Sequence, residues 1–248
     1  MNTDTRKQIE TALRAFSGAD LRAASIGLLN TLGYHSEKAL DLDNTPGAFL
    51  AEFDKRDRKF RKAKALFERW KSVEFLFQIT DDEVRHAGAQ GTLFDSGYDQ
   101  GNYQSYLFFA LDLEKNHYTR TQLADITREI NLLFDMPAML LIRHNGALTF
   151  SVIDRQLHKK DQGRDVLEKV ALIKDIRIES PHRAHIEILF DLTFTELLAR
   201  HKFSNFVELH NAWQKTLDTK ALNEKFYREL FNWYLWAVQI VRFPKPAS

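Results

Sequence analysis

The chain has 248 residues, 44% of them hydrophobic and 28% charged, with 35 Lys and Arg against 34 Asp and Glu, so no global field selects its partner. With no cysteine, disulfides, thiolate metal sites and cysteine nucleophiles are excluded together. No apolar run approaches the ~20 residues of a membrane span, and Met1–Lys7 is polar without the apolar centre of a signal peptide. The composition predicts a cytoplasmic globular protein that neither crosses nor binds a membrane.

Asp4 is placed to cap a first helix carrying Ile9, Leu13 and Phe16, closed by Ser17-Gly18. A second helix follows from Asp20, with Leu21, Ala24, Leu28 and Leu32 on one face and Gly33 as its stop. Asp41–Gly47 is dense in turn formers and reads as a loop. Phe53, Phe60 and Phe67 fall seven apart, with Ala63, Leu66 and Trp70 nearby, and predict one apolar stripe on a third helix.

From Ser72 the texture changes. Val73, Phe75, Phe77 and Ile79 alternate with more polar neighbours, as in a half-buried strand. Gly88–Gly101 reads as a loop, Tyr106–Leu111 as a buried strand, Thr121–Phe134 as a helix and Met139–Ile142 as a second buried strand. Asn145-Gly146 is a two-residue hairpin signal, followed by alternating Leu148, Phe150 and Val152. A helix between two buried strands implies a crossover and hence a parallel pair. Val166–Ile178 fits strand or helix equally. After Pro181 a helix is expected over Ile186–Leu198, another capped by Ser204, and a last one over Ala221–Ile240. The expected class is α+β: a mixed β-sheet with a crossover helix and a hairpin, flanked by amino-terminal and carboxy-terminal helices. The expected division is a helical segment 1–71, a mixed core 72–180 and a helical segment 181–248, in one compact unit.

Signatures of nucleotide-binding and hydrolase sites are missing: there is no Gly-x-Gly-x-x-Gly, no Walker loop and no Gly-x-Ser-x-Gly. His182 and His185, with Glu187 nearby, have a spacing that two ligands on a helix could use, but solvated side chains at a helix start explain them better. No metal site is expected from them. Between Asp54 and Lys71, nine basic residues stand against three acidic ones. If the phenylalanine stripe docks, Lys55, Arg56, Arg58, Lys59, Arg61, Lys62 and Lys64 present a positive face that attracts DNA phosphates whatever the base sequence. A plainly solvated helix, balanced by Asp81-Asp82-Glu83, is the alternative. Arg155–Arg183 is also basic, but its alternating signs suit a solvated surface.

No catalytic residue is identified outright. Asp112 and Glu114, two apart at a strand end, are the candidates for a restriction-type nuclease holding Mg2+, with Asp95 or Asp99 as a third acid. The usual pattern is acid-x-Lys, whereas here Lys115 follows Glu114 directly. Solvated carboxylates explain the spacing more simply. In the last helix, Phe226, Leu230, Trp233 and Ala237 form one face and Tyr227, Phe231, Tyr234 and Val238 another. With Trp236, these residues predict a helix that must be buried or dock a partner.

Four strings carry a family resemblance: Trp70–Asp81, Arg128–Asn131 with Met136-Pro137 and Leu148–Arg155, Asp165–Ile176 with Arg183–His185, and Asn223–Tyr234. From Leu28 onward the chain resembles the amino-terminal region of large fused adenine-specific DNA methylases of restriction–modification (type IIG-like) or phage-defence systems. In that family the S-adenosylmethionine motif and an Asn-Pro-Pro-Tyr-type motif lie further along the polypeptide, and neither occurs in this sequence. The resemblance implies a DNA-associated module that needs no cofactor and is not itself a methylase. A methylase portion, in the same polypeptide or as a separate subunit, would meet the last helix. Two other readings stand beside it: a Mg2+-dependent endonuclease domain, and a protein-interaction module with no nucleic-acid role.

Overall fold

The computed structural model describes residues 2–54, 60–87, 105–134, 136–157, 165–217 and 219–240. Helices α1 (Asn2–Arg14), α2 (Leu21–Thr31) and α3 (Pro46–Phe53) precede strand β1 (Trp70–Thr80) and helix α4 (Asp81–Ala87). Strand β2 (Ser105–Leu113), helix α5 (Arg120–Leu132) and strands β3 (Ala138–His144), β4 (Ala147–Leu157) and β5 (Asp165–Arg177) follow. Helices α6 (Arg183–Asp191), α7 (Phe194–His201), α8 (Phe206–Leu217) and α9 (Thr219–Ile240) complete the chain. The class is α+β, and no described helix is long and apolar enough to cross a membrane.

The five strands lie in the order β1-β2-β3-β4-β5. Among the described strands only β2 and β3 are parallel, and α5 is the crossover between them. A capping box starts α5: Thr119 accepts from the Gln122 amide, and Gln122 accepts from the Thr119 amide at 2.8 Å. Asn131 then pins α5 to the sheet, accepting from the Ala138 amide at 2.8 Å and donating to its carbonyl at 3.1 Å. The hairpin falls at Asn145-Gly146, both left-handed as a tight turn requires. The segment that fits strand or helix equally is β5, because β4 offers it a free edge along its length.

Alternation sorts the strands onto two cores. Phe108, Ala110, Met139, Leu141, Leu148, Phe150 and Val152 face α1, α2 and α6–α8. Phe109, Leu111, Leu140, Ile142 and Ile153 face α5, α3 and the segment before β1. The first layer joins distant parts of the chain. Trp213 of α8 stacks on Phe150, and the Tyr34 hydroxyl donates to the Leu192 carbonyl at 2.7 Å. Gly33 has φ +88°, and a Cβ there would stand 3.0 Å from Phe194 Cβ, so it both stops α2 and admits α7.

Three local expectations are corrected. The helix expected through Phe53, Phe60 and Phe67 ends at Phe53; residues 62–66 form turns, and Leu66 adopts φ 50°. Packed like charges oppose a continuous helix there, and the aromatics reach one cluster from separate elements, with Phe49 linking Phe53 to Trp70. Phe53 meets Phe75, Phe109 and Phe134, whereas Phe60 and Phe67 surround Trp70. The helix expected over Ile186–Leu198 is two helices broken at Leu192-Thr193. Asn205, not Ser204, caps α8 by accepting from the Glu208 amide, while Ser204 donates to the Glu208 carboxylate. The expected loop Gly88–Gly101 lies outside the described residues.

Candidate functional site

Of the expected DNA-binding cations, Lys55, Arg56, Arg58 and Lys59 lie outside the described residues. Arg61 is engaged. Its amide and Nε each donate at 2.9 Å to Glu129 of α5, and its Nη2 joins the same carboxylate. Glu129 is 1% exposed, so Arg61 neutralises a buried charge. The bond to Glu129 raises the Arg61 pKa further. Lys62 lies 5.3 Å from the Phe67 ring centre, and Lys64 is exposed.

Strand directions collect a second polar region. β2, β3 and β5 end on the same side of the sheet, and β1 and β4 begin there. The crevice outside the carboxyl ends of parallel strands is where ligands bind in open sheets, because loops and strand ends there leave a concavity. Two clefts flank the hairpin at this edge. The first, about 340 Å³, is bordered by Lys71, Asp112, Lys115, Arg143 and the turn after α1. The second, about 570 Å³, is bordered by His117, His144, Asn145, Asp175, Arg177 and Glu179.

In the first cleft Arg143 is a strut. Its Nε and Nη2 donate to the two oxygens of Asp112 at 3.1 and 3.0 Å, and its Nη1 donates to the carbonyls of Phe16 and Gly18. Glu114 pairs instead with Arg69, at 3.2 Å. Each of the two candidate carboxylates is thus paired with an arginine, the Glu114 pair at the surface; Asp95 and Asp99 lie outside the described residues. Among the described residues no group of three His, Asp or Glu side chains is arranged to hold a metal ion. His182 and His185 stand with ring centres 6.2 Å apart, and Glu187 accepts from Arg6 at 2.9 and 2.8 Å rather than joining them. Lys71 and Lys115 differ from these groups. Both are exposed and neither has an ion-pair partner among the described residues.

The second cleft contains a buried histidine. His144 is 3% exposed; its Nε2 lies 3.2 Å from the Thr149 hydroxyl, and its Nδ1 has no hydrogen-bond partner among the described residues. Burial lowers its pKa, so the ring is held neutral.

Helix α9 touches α8, and its described side chains from Leu230 onward are largely exposed. Phe231, Trp233, Tyr234 and Trp236 are each more than half exposed, as are Tyr227, Val238 and Ile240. No charged residue occurs from Leu230 to Ile240. The side chain of Phe226 lies outside the described residues.

Sequence reasoning counted Lys71 only as the last cation of the basic run before β1, and did not single out Arg143, His144, Arg177 or Glu179. Their common signal was the hairpin and the parallel pair together, which fix the strand ends that meet. No family model, curated protein or solved structure matches this chain.

Proposed function

We propose that the chain is a DNA-associated module of a restriction–modification or phage-defence system, without methyl-transfer motifs of its own. It would hold duplex phosphates at the carboxyl edge of the sheet and dock a methylase portion through α9. The observation that carries the DNA half is the pair Lys71 and Lys115, exposed, without ion-pair partners among the described residues, and bordering one cleft. Lys62 and Lys64 add exposed charge in the segment leading to β1. Such cations bind phosphate by releasing counterions, which makes affinity steeply salt-dependent. The uncharged aromatic surface of α9 supports the docking half, since water-exposed rings in such number mark a contact surface.

The test is duplex binding measured across a salt series, with and without Lys71→Glu and Lys115→Glu. A salt-sensitive complex weakened at least tenfold by the double change, about 1.4 kcal/mol, is expected. Unchanged affinity in the variant would remove DNA from this edge. No binding by the unaltered protein at low salt would leave the protein-interaction reading.

A further inference from the structure

We propose that the cleft beside the β3–β4 hairpin is a site for a single unpaired nucleobase, recognised by His144, Arg177 and Glu179; the choice of ligand class rests on the DNA-associated reading. Three observations converge there. First, His144 is buried and borders the cleft, and its Nδ1 has no hydrogen-bond partner among the described residues. A buried polar atom without a partner is costly, and a bound group supplying a donor or acceptor removes the cost.

Second, the backbone is distorted to build the cleft. Between Leu148 and Phe150 of β4, β5 carries an extra residue, because their partners are Ile176 and Ile173. Asp175 lies in this bulge at φ 61°, a left-handed conformation in a residue with a side chain. The extra residue reverses the alternation of β5. Val170 and Leu172 face the α5 core, and an undistorted strand would turn Arg177 to the opposite face. With the bulge, Arg177 pairs with Ala147, which pairs with His144, so these three share one face. The strain therefore brings Arg177 beside the buried histidine.

Third, the charges select the ligand. Arg177 has no ion-pair partner among the described residues, but Glu179 and Asp175 border the same space, and Lys174 neutralises Asp175 at 2.6 Å. A lining with one open cation and one open carboxylate disfavours a bare anion. It favours a neutral molecule carrying donors and acceptors on adjacent edges. A nucleobase has that character: Arg177 donates to ring acceptors, Glu179 accepts from exocyclic or ring N–H groups, and neutral His144 completes the set. About 570 Å³ is within the range of small-ligand sites. The base must be unpaired, because in the duplex its Watson–Crick edge is occupied and its faces are stacked, so it could not enter a cleft between strand ends.

The experiment titrates the full chain separately with adenosine, guanosine, cytidine, thymidine and inorganic phosphate, reading the ¹⁵N shifts of the His144 ring. Duplex binding is measured on the same samples. A nucleoside that moves the His144 resonances, with affinity reduced at least about tenfold by Arg177→Gln or Glu179→Gln, supports the site. Two folded-state checks, the unchanged far-ultraviolet spectrum and melting curve of each variant, separate lost binding from lost fold. If no nucleoside shifts His144 while duplex binding persists, the nucleobase site is wrong and the DNA reading survives. If phosphate alone reproduces the shift, the nucleobase assignment is overturned in favour of an anion. Nucleoside binding without duplex binding keeps the cleft and overturns the module's DNA role.

Discussion

The two basic regions of the molecule treat their charge differently. In the segment before β1, Arg61 is spent on Glu129, a carboxylate that α5 carries into the core. At the carboxyl edge of the sheet, Arg143 is spent on Asp112, but Lys71 and Lys115 are left open beside it. The density of basic residues along a sequence is therefore not the charge available to a ligand. What counts is which cations remain after the protein's own carboxylates have been satisfied.

The largest test of this contrast is Glu129→Ala. It leaves a void among apolar neighbours and the Arg61 amide without its acceptor, and is expected to cost about 3 kcal/mol in denaturant unfolding. Arg61→Gln should lower the unfolding midpoint in the same direction, with Arg61→Lys recovering part of the loss. If neither variant moves the midpoint, Arg61 is as open as Lys71 and the contrast fails.

Acid should probe the interior before the edge. His210, packed in the first core with its Nδ1 3.0 Å from the Tyr106 hydroxyl, has its pKa lowered by burial to about 4. The unfolded chain thus takes up a proton near pH 6.5 that the folded chain refuses. Stability from the neutral ring is complete above about pH 6.5 and declines as pH falls towards 4, by up to ~3 kcal/mol. His210→Leu should flatten this part of the stability–pH curve; a curve that keeps its slope would assign the loss elsewhere.

Arg143→Ala comes next, at about 2 kcal/mol, because it strands the Asp112 carboxylate and two carbonyls that close the turn after α1. Smallest in stability is the pair Lys71→Gln and Lys115→Gln, expected to stay within about 0.5 kcal/mol of the parent. The same pair should reduce the slope of log affinity against log salt by about 2. A variant that keeps the slope but unfolds more easily would place these lysines with Arg61, among the structural cations.

Much of the sheet was legible because its signals are local. The apolar runs at Tyr106–Leu111 and Met139–Ile142, the helix between them and the turn at Asn145-Gly146 imply β2, α5, β3 and β4 with their directions. The stripe Phe53-Phe60-Phe67 misled because its spacing fits a helix, whereas its rings reach one aromatic cluster from separate elements, with Phe49 linking Phe53 to Trp70. Glu129 carried an unused hint: three residues after Ile126 and four before Leu133, it falls on the apolar stripe of α5 and so requires a cationic partner. The edge clefts were not legible, since they gather residues from the ends of five strands. The bulge at Asp175 also changes which face Arg177 occupies without a glycine to announce it.

The order of the strands has a consequence for how the molecule assembles. Each strand pairs with the one next in sequence, so the sheet and its α5 face close through contacts of modest separation and can form early. The opposite face cannot. Its helices come from both sides of the sheet in the chain, and Arg6 reaches Glu187 across 181 positions. That layer closes only after the sheet exists to receive it, because the long loop must be ordered before its contacts repay the loss of entropy. Until then Phe108, Met139 and Phe150 face water. The interval between sheet formation and arrival of the helices is when this chain is most prone to aggregate during refolding.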